Sequence, residues 1–178
     1  MRQLYLASAV FELSAFFKTS NSNLVKNIAK LIFSLILLAH TVSLKAQEAT
    51  TAHKDSLNAM VNRYYELNVK VFQAGSTVED IDNIFALFTD DFEYIHPKYG
   101  GTYTRQDLYD GYTRNQKNGS YDGSVTDIKV LSRIAGLNAV VTQKAFILIE
   151  EGQHVEDEPQ MTLFEFRNGK ISKIFEYW

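Results

Sequence analysis

The spacing of apolar residues predicts two helices at the start of the globular part of the chain. From Asp55, apolar side chains recur every three or four residues, as on one face of an amphipathic helix: Leu57, Met60, Val61, Tyr64, Leu67 and Val71. Gly75 ends this helix. Thr77 caps a second helix, whose apolar face is formed by Ile81, Ile84, Phe85 and Phe88. The polar residues 47–54 are expected to form a flexible tail.

A short strand and a third helix follow in the pattern. Residues 92–96 alternate as in a strand, which ends at Pro97 because proline lacks a donor for the next ladder bond. After a Gly100-Gly101 turn, Thr104 caps the third helix. The apolar side of this helix comprises Leu108, Tyr109 and Tyr112.

The remaining residues read as strands. Four segments, 125–131, 139–150, 160–167 and 170–178, are rich in β-branched and aromatic residues and are separated by turn-forming residues. Three helices followed by strands predict an α+β domain over residues 55–178, with the helices on one face of a strongly curved antiparallel sheet. Such a sheet roofed by helices encloses a cone, whose mouth suits a small molecule.

The N-terminal region is typical of a secretory signal peptide. An apolar run, residues 31–39, follows Lys26 and Lys30, and a small residue precedes Gln47. The run is about half of the roughly 20 apolar residues that a membrane-spanning helix needs. We therefore expect residues 1–46 to be a signal region that meets the membrane only during export. The mature domain is then periplasmic or extracellular.

A second apolar patch makes the first residues unusual. Residues 1–23 contain this patch and a polar Thr-Ser-Asn-Ser-Asn stretch before the signal-like segment begins. Our hypothesis is that translation starts at Leu24 or Val25, from an alternative start codon. A peptide from residues 1–20 in the mass spectrum of the unprocessed precursor would refute it.

Charge and composition exclude several classes of function. Residues 1–46 hold five basic residues and one acidic residue, which leaves 13 basic and 20 acidic residues in 47–178, a formal net charge of −7. An acidic domain without a basic stripe is unsuited to nucleic acid. The absence of cysteine excludes disulfides, thiol nucleophiles and zinc–thiolate sites. No spacing suggests converging metal ligands, so we expect neither metal nor cofactor.

Two motifs carry a resemblance to a known fold. Phe85-Ala-Leu-Phe-Thr-Asp-Asp-Phe92 resembles the end of the second helix in the nuclear transport factor 2-like (SnoaL-like) proteins. Phe164-Glu-Phe-Arg-Asn-Gly-Lys-Ile171 resembles their late hairpin. The resemblance covers essentially the whole mature chain and implies the cone. It does not imply one reaction, because the fold hosts many functions.

Ketosteroid isomerase is the member of this group that helps to interpret the pocket. Its first-helix tyrosine corresponds to Tyr64, its general-base aspartate to His96, and its protonated aspartic acid to Thr162. Compared with the isomerase, this sequence keeps the tyrosine donor and has a histidine in place of the aspartate base. The second donor, an aspartic acid in the isomerase, is replaced by the weaker donor threonine. Steroid isomerisation is therefore not expected of this chain.

His96 and Tyr64 are the first candidates for chemistry. A neutral imidazole, with an ordinary pKa of about 6.5, acts as a base at neutral pH. The alternative is a histidine hydrogen-bonded beside the proline turn. Tyr64, on the buried helical face, either donates to a substrate oxygen or is a core tyrosine bonded to a carbonyl.

Strand parity and the family alignment select further pocket residues. If Thr162 faces the cone, Phe164 and Phe166 do too and Glu165 does not. The family alignment places Ser172, Ile174, Glu176 and Trp178 inward, which makes Glu176 a catalytic candidate; a solvent-facing charge is the alternative. The predicted residues of the cone mouth, which either stack on a ligand or pack together, are Tyr94, Tyr99, Tyr103 and Tyr112.

Three functions remain open at this point. The first is an acid–base enzyme of the isomerase, cyclase, dehydratase or hydrolase type, with His96 as base and Tyr64 polarising the substrate. The second is a non-catalytic domain that binds an apolar or cyclic molecule. The third is an interaction domain, a homodimer through the outer sheet face as the family resemblance implies. The polar residues in a ring-rich cone favour a ligand site over a solid core.

Overall fold

The computed structural model describes residues 27, 28, 30, 32 and 50–178. The chain divides into two units, Met1–Glu48 and Ala49–Trp178, and the following description concerns the second. The predicted signal peptide and the alternative start near residue 24 lie almost wholly outside the described residues. In the part of the chain that the structure describes, no helix has the length and apolarity to cross a membrane.

Three helices form where the apolar spacing predicts them. They are α1 (Thr51–Val71), α2 (Val78–Phe85) and α3 (Arg105–Lys117). Thr77 and Thr104 each form a capping box with the aspartate three residues later, which satisfies two free backbone donors. Helix α1 begins four residues before Asp55 because the Thr50 hydroxyl caps it by accepting from the His53 amide. Residues 51–54 are therefore helical and not part of a tail.

Seven strands form one sheet. They are β1 (Phe88–His96), β2 (Gly101–Thr104), β3 (Val125–Ala135), β4 (Ala139–Glu150), β5 (Gln153–Glu156), β6 (Gln160–Arg167) and β7 (Lys170–Tyr177). Their order is β2-β1-β7-β6-β4-β3, with β5 paired to β4. The short strands β2 and β5 occupy segments that the sequence predicts as turns, and Phe88 begins β1 instead of ending α2.

The prediction of an antiparallel sheet is wrong at one strand pair. Strand β1 pairs with β7 in parallel, whereas the other pairs are antiparallel, so the sheet is mixed. Hairpin signals report only neighbours in sequence. The β1–β7 pair joins the first and the last strand of the sheet in sequence order, so a hairpin signal cannot report its direction.

The inner face of the sheet changes from apolar to polar towards the cone mouth. The deepest row is Val140, Phe164 and Ile174, which pair across β4, β6 and β7. The next row is Thr142, Thr162 and Glu176, followed by Lys144 beside Gln160. All eight side chains are buried, so polar groups lie well inside the domain.

A bulge alters the predicted parity of β7. Glu165 pairs with Lys173 but Phe166 pairs with Ile171, so Ser172 is an extra residue in β7. Ile171 is fully buried in the core, while the Ser172 hydroxyl donates to the Glu165 carbonyl at 3.2 Å. The expectation that Ser172 faces the cavity is therefore wrong, whereas Ile174 and Glu176 do face inward.

Candidate functional site

A cavity of about 610 Å³ lies at the cone mouth between α3 and the ends of β1 and β7. Its size is ordinary for a site that holds a small organic molecule. Among the residues chosen from the sequence, six line it: Tyr94, His96, Tyr99, Tyr103, Tyr112 and Trp178. The lining also includes residues that the sequence analysis did not select: Phe72, Asp107, Leu108, Gly111, Arg114, Asn115 and Tyr121.

His96 lies in the cavity wall with its ring unpaired. It ends β1, directly before a 3₁₀ turn that begins at Pro97, and only 2% of the residue is exposed. Neither Nδ1 nor Nε2 finds a hydrogen-bond partner among the described residues. Buried polar atoms are normally paired, so two unpaired ring nitrogens are unusual, and among the described residues no hydrogen bond ties the ring to the proline turn.

Aromatic rings and charge set the state of His96. Its ring centroid lies 4.4 Å from that of Tyr99 and 4.5 Å from that of Trp178. Burial lowers the pKa of His96, and the negative charge of Glu176 opposes this effect. The imidazole is therefore neutral at pH 7 and able to accept a proton.

Glu176 lies behind the cavity wall. Its Oε2 accepts hydrogen bonds from the Thr162 hydroxyl at 2.7 Å and from the Trp178 indole at 3.0 Å. The indole lines the cavity and the carboxylate does not. Glu176 therefore anchors Trp178 in the wall and acts on His96 through its charge.

Lys144 is a buried charged residue beside Glu176 that the sequence analysis did not select. Its Nζ lies 3.4 Å from Glu176 Oε2 and donates to Gln160 Oε1 at 3.2 Å. Burial lowers the pKa of Lys144, and Glu176 opposes the shift. Strand alternation could have indicated that Lys144 points inward, because Lys144 shares the inner face of β4 with Val140 and Thr142.

Tyr64 is in the core and not in the cavity lining. Its ring packs against Phe164 with centroids 5.4 Å apart, and burial raises the pKa of Tyr64 well above its ordinary value. Tyr112 reaches the cavity instead, and its hydroxyl donates to Asn68 Oδ1 at 2.5 Å. The structure thus does not bring Tyr64 and His96 together on one cavity.

Thr162 and Phe164 lie in the core directly behind the residues that line the cavity. Both are fully buried on the inner face of β6, and neither lines the cavity. Thr162 donates to Glu176, while Phe164 packs edge-on against Tyr64 and Tyr65. They hold the residues that form the wall.

A metal centre has no visible ligand set in the described part of the chain. There, no group of three or more histidine, aspartate or glutamate side chains is arranged to hold an ion.

Three helices packed on a mixed sheet of seven strands form the nuclear transport factor 2-like fold, and this chain has that fold. A nuclear transport factor 2-like protein from Anabaena variabilis is 17% identical, with 72% of this chain and 92% of that chain covered and a TM-score of 0.50.

Two further solved structures resemble it. One is a putative ketosteroid isomerase from Kribbella flavida, at 16% identity, 70% and 78% coverage and a TM-score of 0.47. The other is a putative polyketide cyclase from Xanthomonas campestris, at 18% identity, 70% and 91% coverage and a TM-score of 0.46. No protein-family model and no curated protein matches the sequence. At these sequence identities, the similarity to the solved structures shows a shared fold and nothing more.

Proposed function

We propose that the cone binds a small cyclic organic molecule and that His96 accepts a proton from it as a general base. The observation that carries this proposal is the buried imidazole, unpaired at both nitrogens, in a ring-lined cavity. A ligand with a hydroxyl or an acidic C–H satisfies the imidazole, and its rings cover the tyrosine and tryptophan faces. The reaction class is that of an isomerase, cyclase, dehydratase or hydrolase.

The proton-transfer step follows from the electrostatics of the wall. When His96 accepts a proton, the negative charge of Glu176 favours the imidazolium, and so opposes the lowering of the pKa of His96 by burial and by the positive charges of Lys144 and Lys98. Tyr94 and Tyr112 line the cavity, and burial raises the pKa of both, so they stay protonated. The Tyr112 hydroxyl already donates to Asn68, so the Tyr94 hydroxyl is the donor for an oxygen that gains charge, the role that the sequence analysis gave to Tyr64.

Proton abstraction is measurable without knowing the natural substrate. We expect the protein to accelerate exchange of the acidic α-protons of 2-tetralone with D₂O, followed by NMR. His96→Ala should lose the acceleration, and His154→Ala, an exposed histidine outside the cavity, should keep it. Because burial lowers the pKa of His96, the rate should be flat above pH 7 and fall only below about pH 6.5.

The outcomes separate catalysis from binding. If 2-tetralone quenches Trp178, the single tryptophan, but its exchange is not accelerated, the cone is a non-catalytic binding site. If His96→Ala exchanges at the wild-type rate, His96 is not the base. If cyclic probes neither bind nor exchange, the ligand-site proposal fails altogether.

We also propose that two copies pair through the outer sheet face. An apolar row crosses five strands in register on that face: Ile134, Val141, Leu163, Phe175 and Ile95. Ile134 is 75% exposed. The neighbouring residues Thr142, Thr162 and Glu176 point into the cone, so strand alternation directs this row away from the helices.

Export completes the proposed function. The signal-like segment before Gln47 supports a mature domain that meets its ligand in the periplasm or outside the cell.

A further inference from the structure

Helix α3 gives the cavity two different ends. Asp107 and Arg114 both line it, and they lie seven residues apart, which is about 10 Å along a helix. Asp107 lies at the helix end that follows Tyr103, on the side of β2, which pairs with β1 at His96. Arg114 lies in the last turn with Asn115 and is followed by Tyr121. A ligand along α3 therefore meets an acid at one end and a cation at the other.

The guanidinium of Arg114 is not committed within the domain. The described residues contain five arginines, and four of them have partners: Arg63 with Glu66, Arg105 with the Phe85 carbonyl, Arg133 with Asn62 and Arg167 with Asp91. Within that same part of the chain, Arg114 makes neither a salt bridge nor a side-chain hydrogen bond. Asp110, one turn earlier, instead accepts from Gln106 at 2.8 Å.

Asp107 lies too far along the helix to pair with Arg114, and it caps its own helix. Its Oδ2 accepts from the Thr104 amide at 2.9 Å and from the Thr104 hydroxyl at 2.6 Å. These bonds lower the pKa of Asp107, so the carboxylate stays ionised. A ligand anion is repelled from this end and attracted to the other.

We propose that the ligand is a planar monocarboxylate whose acid group binds Arg114 while its other end meets His96. A guanidinium pairs with a carboxylate through two parallel hydrogen bonds. Phe72 and Tyr121, whose centroids lie 5.5 Å apart, line the same end and cover an aromatic ring. One cation neutralises one charge, and a domain of net charge −7 disfavours a more highly charged ligand. This inference rests on the proposed ligand site.

A matched pair of probes tests the assignment. We would titrate 2-naphthoate and the neutral isostere 2-naphthamide and follow Trp178 fluorescence, since this residue lines the cavity. The acid should bind about tenfold more tightly than the amide, as expected of a charge-assisted hydrogen bond. Arg114→Gln should abolish that difference without weakening amide binding. Arg63→Gln, which removes the same charge from an exposed part of α1, should preserve it.

Each outcome has one meaning. If the acid and the amide bind the wild-type protein equally, or Arg114→Gln keeps the preference, the Arg114 assignment is overturned and the ligand site stands. If neither probe binds, the ligand site fails and this inference fails with it. Thermal unfolding checks that Arg114→Gln is folded, and we expect an unchanged midpoint because Arg114 is exposed.

Discussion

At the residue scale, the main feature of the cone is the buried ion pair between Lys144 and Glu176. Both side chains are almost fully buried, and Glu176 also accepts from Thr162 and Trp178. Taking two charges out of water costs several kcal/mol per ion, which their attraction offsets only with additional hydrogen bonds. The main effects of the pair are therefore to hold Trp178 in place and to set the electric field at His96. Its net contribution to stability is small.

Breaking the pair from one side should be costly. We expect Lys144→Met and Glu176→Gln each to lower the free energy of unfolding by about 3–5 kcal/mol, because each leaves a buried charge without a partner. The double variant should lose less than either single change, since the amide oxygen introduced by Glu176→Gln still accepts from Thr162 and Trp178 without any charge. Urea unfolding followed by Trp178 fluorescence measures all three.

An exposed pair is the control for this prediction. Lys173 and Glu93 lie 2.9 Å apart at the surface, so Lys173→Met should cost at most about 1 kcal/mol. Losses in the Lys144 and Glu176 variants that simply add together would contradict the proposed coupling.

At the scale of elements, sequence patterns predicted helices better than strand pairing. The apolar spacing of α1 and the caps at Thr77 and Thr104 depend on neighbours within four residues, so they were readable. The parallel β1–β7 pair and the bulge at Ser172 depend on strands far apart in sequence. Those features also decide which residues of β7 face the cavity.

The outer sheet face leads to a prediction about assembly. We expect a dimer in sedimentation experiments, because a continuous apolar row favours burial. Leu163→Glu, at the centre of the row, should shift the mass to that of a monomer, since two carboxylates would meet an apolar partner surface. Val78→Glu, an exposed apolar residue at the start of α2, should leave the dimer intact. A wild-type monomer at about 100 μM would end the proposal.

At the scale of the whole molecule, the sequence predicts an export signal in front of an acidic domain. The segment before Gln47 predicts cleavage, so the mature protein purified from a secreting bacterial host should begin at Gln47 by N-terminal sequencing. Lys26→Glu combined with Lys30→Glu should slow processing because it removes the basic residues before the apolar run. A mature protein that retains residues 31–39 would show that this segment is not a signal peptide.

The candidate site was only partly readable from sequence. Strand parity and the family alignment selected His96, Tyr94 and Trp178, and these line the cavity. Tyr64 failed to reach it because the ring of a helical tyrosine points wherever tertiary packing directs it, here against Phe164. Arg114 was not selected, since an exposed arginine in a polar helix turn resembles any solvated charge.

The sequence by itself determined the helices, the sheet-rich second half and the ring-rich interior, because apolar periodicity and turn chemistry are local properties. Only the tertiary structure decided that Lys144 and Glu176 meet inside the cone and that Trp178 covers them. It also left His96 unpaired beside an open cavity. These relations join residues from strands distant in sequence, and a buried charge or an orphaned imidazole exists only once the sheet has closed around it.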